Sequence, residues 1–220
     1  MIRLHHVPQS RSMRVLWLLE ELGLPYELVT ERFDKSLRRE AYLTRSPAGR
    51  VPALEIGGET MFESGAILEY LCELYPDSGL GRLCGDAERR DFLVWLHFAE
   101  TMSHHGAALT QQHLMLREDA MRSPIIMQLE AARLGKCFEA IEARLAQSGD
   151  YLLQGFSAAD IAVGQAVYIG RHFRSTEGLE HLQGWYERIT AREAFQRSLP
   201  DEGERLCRRD FYPAWDLPEV

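Results

Sequence analysis

Apolar positions change rhythm several times over the first 80 residues and then settle into one. Residues 1–7 form a short β-leaning apolar run ended by Pro8. Val15, Leu16, Leu18, Leu19 and Leu22 then recur at helical spacing and cover a broad face, stopped by Gly23 and Pro25. Residues 26–31 alternate as a strand does, and the polar, arginine-rich stretch at about 37–43 has helical character. Residues 51–56, Gly57-Gly58 and residues 59–62 read as a hairpin. Ser64 opens another helix, GAILEYLCELY, which Pro76 stops. The predicted order is β-α-β-α-β-β-α, a small mixed sheet carrying helices.

Residues 77–86 (DSGLGRLCGD) form a Gly-rich linker, and no strand signal follows it. A long amphipathic helix is predicted at 87–116, with Phe92, Trp95, Leu96 and Ala99 on one side. Further helices are predicted at about 124–146, 157–173, 178–189 and 192–199. The expected organisation is therefore an α/β domain at 1–80 and an all-helical bundle at 87–220.

Composition narrows the classes. The chain has 220 residues, 45% of them hydrophobic and 26% charged, which excludes disordered and fibrous readings and allows a sizeable core. Its formal net charge of −8 makes it a poor candidate for binding a phosphate backbone, so no nucleic-acid partner is expected. The four cysteines, Cys72, Cys84, Cys137 and Cys207, form no CxxC and read as buried or half-buried thiols of a reducing compartment. No basic-then-apolar leader opens the sequence and no apolar run approaches a membrane span, so a cytoplasmic location is expected.

Several short stretches carry chemistry. Ser64 precedes an apolar-periodic segment and is an N-cap candidate, and a helix N-terminus is also a ready carboxylate site. In FSAADIAVG, at 156–164, Ser157 and Asp160 form a capping box with Phe156 as a staple, which is folding chemistry. The turn Ser10-Arg11-Ser12 offers two hydroxyls before the first helix: Ser12 has the stronger claim to cap it, and Ser10 is better placed to point outward. His97, His104, His105 and His113 follow one another along the long helix without a matching carboxylate set, so no metal site is expected.

Four motifs, in this order and spacing, carry a resemblance: SRSMRVLWLLEELGLPYEL at 10–28, SPAGRVPAL at 46–54, FESGAILEYL at 62–71 and FSAADIAVG at 156–164. The chain resembles the cytosolic glutathione transferases over essentially its whole length, and in particular bacterial-like members with a serine-type active-site turn. The resemblance implies a thioredoxin-like N-terminal domain in which Pro52 follows a cis bond. The backbone of Val51 would then pair with the cysteinyl part of glutathione, and Arg50 would meet the glycyl carboxylate. Ser64 would hold the γ-glutamyl carboxylate, with Glu63 at the same corner.

The same resemblance makes a hydroxyl of the first turn the group that stabilises the glutathione thiolate. Counting five residues back from Val15 gives Ser10, with Ser12 as second choice and Arg11 as a charged stabiliser; Gln9, six back, departs from the usual pattern. No cysteine stands in this turn, which disfavours thiol–disulfide exchange. His104, Tyr168, Tyr212 and Trp215 are candidates for the acceptor site. The implied activity is conjugation of glutathione, as co-substrate, to a small electrophilic and largely apolar acceptor by a homodimeric detoxification enzyme. The rival readings are a glutathione-dependent peroxidase or reductase on the same site, and a non-catalytic binding module of the same fold.

Overall fold

The computed structural model describes residues 1–212. The chain packs as two compact units, Met1–Phe92 with Thr190–Arg205, and Leu93–Ile189 with the described residues from Leu206 onward.

The first unit follows the predicted order: β1 (Ile2–His6), α1 (Ser12–Leu22), β2 (Tyr26–Thr30), α2 (Glu40–Leu43), β3 (Ala53–Ile56), β4 (Glu59–Phe62) and α3 (Ser64–Leu74). The strands lie in the order β2-β1-β3-β4. β1 runs parallel to β2 and antiparallel to β3, so Leu4 faces both Leu28 and Leu54 across the ladders. The βαβ crossover at the start makes the first pair parallel, and the two-residue Gly57-Gly58 turn makes the last pair antiparallel. α1 buries Met13, Val15, Leu16, Trp17, Leu18 and Leu19 and packs on β1 and α3. Gly23 ends it with φ of 62°, the left-handed turn that glycine adopts without steric cost.

The arginine-rich stretch is less helical than its pattern predicts. It holds a 3₁₀ turn, Lys35–Arg38, opened by Asp34, whose side chain accepts from the Ser36 N–H at 2.7 Å, and the single turn α2. Within these two turns Leu37 and Tyr42 are buried, too narrow an apolar face to hold one continuous helix.

The helices beyond the linker are α4 (Arg89–Thr110), α5 (Pro124–Ser148), α6 (Ala158–Gly170), α7 (Glu180–Thr190) and α8 (Glu193–Ser198). α4 ends earlier than its apolar pattern predicts, giving way to a π turn at Gln111–Met115. Ser123 caps α5 through its side chain, with Pro124 at the first position. Asp160 anchors α6: it accepts from the Ser157 N–H and hydroxyl at 2.9 and 3.0 Å, from the Leu152 N–H at 3.0 Å and from Trp185 Nε1 at 2.9 Å. Burial pushes its pKa up, and the four donors pull against that.

α8 does not follow the expected single division between residues 80 and 87, because it belongs to the first unit and packs on α1. Arg192 grips Glu21 with both arms of its guanidinium, Nε to Oε1 at 2.6 Å and Nη2 to Oε2 at 2.7 Å. Phe195 meets the edge of Trp17 at 4.8 Å between ring centres. Such bidentate pairs are among the stronger polar contacts.

Candidate functional site

The turn after β1 is drawn tight by its backbone. The Ser10 N–H donates to the Val7 carbonyl at 3.1 Å, and the Met13 N–H to the Ser10 carbonyl at 3.0 Å. Gln9 sits at φ 58°, a conformation uncommon for a residue with a side chain. Ser12 is the first residue of α1 and not its cap. Its hydroxyl is instead committed inward, fully buried, accepting from the Val7 N–H at 3.1 Å and lying 2.8 Å from His6 Nδ1. Ser10 is half-buried, and its hydroxyl lies 2.7 Å from that of Ser12.

Across from this turn, the Val51–Pro52 bond is cis. The loop before it is braced twice: Tyr42 donates its hydroxyl to the Arg50 carbonyl at 3.0 Å, and the Arg50 N–H donates to Ser46 Oγ at 3.4 Å. Burial lifts the Tyr42 phenol to about 12, so it stays a donor at every working pH. Glu63, just before α3, sits at φ 74° and ψ 109°. It and Gln9 are the non-glycine residues with positive φ among the described residues, and each directly precedes a candidate serine. Strained backbone of this kind concentrates at functional sites.

Ser64 is likewise the first residue of α3 and not its N-cap, a position held by Glu63. Its hydroxyl accepts from Nη1 of Arg14, a fully buried side chain of α1, at 3.1 Å. The hydroxyl proton is then left to donate to a ligand, with a cation behind it.

Arg11, Arg50, Val51, Pro52, Glu63 and Ser64 line one cleft, completed by Ser46, Ala48 and Phe62. The fold thus gathers, from three loops, six of the residues singled out in the sequence. Two guanidinium groups and the N-terminal end of α3, whose first turn holds no acidic side chain, make this cleft suited to carboxylates.

In the second unit, His104 is exposed on α4 and its ring meets that of His105 at 5.6 Å. His105 pairs with Glu130 at 2.6 Å. Tyr168 is half-buried against His172, and Tyr212 is half-buried at the end of the described chain. Trp215 lies outside the described residues. Among the described residues no group of three or more His, Cys, Asp or Glu side chains is placed to hold a metal ion, and no helix is long and apolar enough to cross a membrane. Cys72, Cys137 and Cys207 are buried, and burial lifts the Cys72 thiol to about 12 and that of Cys207 to about 11; Cys84, against expectation, is exposed.

Three residues of this corner escaped the sequence reading as site residues: Arg14, Tyr42 and His6. Arg14 carries a signal, being a charge inside the buried face MRVLWLL. The other two act through contacts six and eight residues away, at spacings longer than the neighbour spacings of a helix or a strand.

Residues 4–79 match the family described as glutathione S-transferase, N-terminal domain. Glutathione S-transferase 3 of Zea mays is 29% identical over 90% of this chain and 93% of its own. Glutathione S-transferase 4 of Zea mays is 32% identical over 82% of this chain and 83% of its own. The crystal structure of a glutathione transferase from Methylococcus capsulatus covers 90% of this chain and 97% of its own, with a TM-score of 0.77 at 27% identity. With both its units so matched and a carboxylate-suited cleft on the first, the chain belongs to the glutathione S-transferase family, and its activity is that of a glutathione transferase.

Proposed function

We propose that the chain conjugates the glutathione thiolate to a small electrophilic, largely apolar acceptor, with the Ser10 hydroxyl as the donor that holds the sulfur as its anion. The observation that carries this reading is the cleft that joins Arg50, Val51, Pro52, Glu63 and Ser64 and reaches Arg11, the neighbour of Ser10. Arg50 would take the glycyl carboxylate and Ser64 the γ-glutamyl carboxylate. Glu63 would take the γ-glutamyl ammonium, and the Val51 backbone would pair with the cysteinyl residue as an added strand. Arg11 supplies positive charge on the same side.

The magnitudes are adequate. A thiol near pKa ~8.5 is only a few per cent ionised at pH 7, and lowering it by ~2 units takes about 2.7 kcal/mol of preferential anion stabilisation. One hydrogen bond to a charged acceptor contributes roughly 1.5–3 kcal/mol, and the N-terminal end of α1, without an acidic side chain in its first turn, adds up to ~1 kcal/mol. A hydroxyl that only donates to the sulfur therefore suffices, and it need not ionise. The same turn holds no cysteine, which sets the reaction apart from thiol–disulfide exchange.

We assign acceptor contacts to His104, Tyr168 and Tyr212 of the second unit, and on family likeness we place the enzyme in the cytoplasm as a homodimer with a role in detoxification. The test is a conjugation assay with a generic aryl halide beside calorimetry with glutathione. The expected result is saturable conjugation together with glutathione binding. Binding without conjugation of any electrophile, or hydroperoxide turnover exceeding conjugation, would overturn the reading.

A further inference from the structure

His6, Ser12 and Ser10 stand in a row, with 2.8 Å from His6 Nδ1 to Ser12 Oγ and 2.7 Å from Ser12 Oγ to Ser10 Oγ. Each contact of that length holds one proton, and the direction of the two protons can be counted. A serine hydroxyl has one proton and two lone pairs. The Val7 N–H fills one lone pair of Ser12 at 3.1 Å. One lone pair and one proton remain to serve both neighbours. Either Ser12 accepts from His6 and donates to Ser10, or it donates to His6 and accepts from Ser10. The Val7 carbonyl, at 3.3 Å from the Ser12 hydroxyl, is the longest of its contacts and the weakest competitor.

The two arrangements differ in what they leave to Ser10. In the second, the Ser10 proton is spent inward on Ser12. In the first, Ser10 accepts from both the Ser12 hydroxyl and the Ser12 N–H, the latter at 3.2 Å, and its own proton is directed away from Ser12. Only the first lets Ser10 donate to a sulfur anion, and it requires the proton of the imidazole to sit on Nδ1.

We propose that His6 is a positioning residue for the thiolate: its Nδ1–H donates to Ser12, Ser12 donates to Ser10, and Ser10 is thereby turned outward as a donor to the glutathione sulfur. The inference rests on the reading that Ser10 faces that sulfur. His6 touches neither substrate nor sulfur and acts through the two hydroxyls. Burial brings its pKa down to about 4, so at neutral pH the ring carries one proton and the choice of nitrogen is a real one. Donors in series also polarise one another, by about 10–30% per bond, so the chain makes Ser10 a better donor than an isolated hydroxyl.

The direct test is the ring ¹⁵N spectrum of His6 in the full-length protein, labelled at histidine and saturated with glutathione at neutral pH. The expected result is the Nδ1–H tautomer. A dominant Nε2–H tautomer in that complex overturns the inference. A second test titrates the bound thiol by thiolate absorbance in His6→Leu, which lacks a donor, and His6→Asn, whose amide N–H can replace Nδ1–H. His6→Leu is expected to raise the bound-thiol pKa by about half a unit, roughly a threefold fall in thiolate below that pKa, and His6→Asn to restore most of it. Equal values in wild type and His6→Leu overturn the inference. If His6→Leu does not fold, the tautomer in the wild-type complex decides alone. Ser10→Ala separates the two readings. An unchanged bound-thiol pKa there removes Ser10 from the sulfur and this inference with it. A raised pKa together with an Nε2–H tautomer removes His6 alone.

Discussion

The guanidinium of Arg14, fully buried in α1, donates to Ser64 Oγ at 3.1 Å and so ties the first helix to the first residue of α3. The bond occupies a lone pair of the serine and leaves its proton for a carboxylate. It also places a charge behind the hydroxyl, where low dielectric strengthens it. Arg14→Met is expected to weaken glutathione binding about tenfold, equivalent to about 1.4 kcal/mol. Calorimetry on the folded variant checks this, and unchanged affinity would remove Arg14 from the binding corner.

The α8 clamp is a stability device. Glu21 is gripped by both arms of Arg192 and also accepts from Trp17 Nε1 at 3.0 Å, with only 7% of its side chain exposed. Arg192→Ala leaves that carboxylate buried with one neutral donor, so a loss of about 2–3 kcal/mol is expected in urea unfolding. The environment of Trp17, which Phe195 of α8 touches, should change with it and report on the same event by fluorescence.

Stability should fall in acid in two stages. His6 is held neutral by burial, with a native pKa of about 4 against an ordinary 6.5. Between these values the unfolded chain binds the proton more readily than the native state. Stability is therefore lost as pH falls from about 6.5 to 4, by roughly 3 kcal/mol at most. Glu55 follows: hydrogen bonds from His5 and Arg45 lower its pKa to about 2, so its contribution is present above about 4.5 and lost as pH falls toward 2. Urea midpoints measured across this range should decline through the first window in the wild type and less steeply in His6→Asn, which keeps the share of His113, whose pKa burial also lowers to about 4. A wild-type profile no steeper than that of His6→Asn between pH 6.5 and 4 would mean that His6 is not buried as a neutral ring.

Much of this architecture was legible in the residues, for stated reasons. The strand and helix order of the first unit followed from apolar periodicity and from Gly23, Pro25, Gly57-Gly58 and Pro76. The capping box at Ser157 and Asp160 was visible because its partners lie three residues apart. What could not be read were contacts with large sequence separation: Arg14 with Ser64, Arg192 with Glu21, and the placement of α8 on α1. The sequence marks Ser12 and Ser64 as cap candidates, because a serine before an apolar run signals a helix start without fixing which residue is first. In both cases the residue before it, Arg11 or Glu63, takes the cap position, and the serine side chain bonds to another element.

On the proposed mechanism, the Ser10 hydroxyl lowers the pKa of the bound glutathione thiol. This is tested most directly by titrating thiolate absorbance against pH in the glutathione complexes of the wild type and Ser10→Ala. The expected result is a bound-thiol pKa about 2 units below the ordinary thiol value of ~8.5 in the wild type, and a rise of at least one unit in Ser10→Ala with glutathione still bound. Equal pKa values in the two complexes would contradict it.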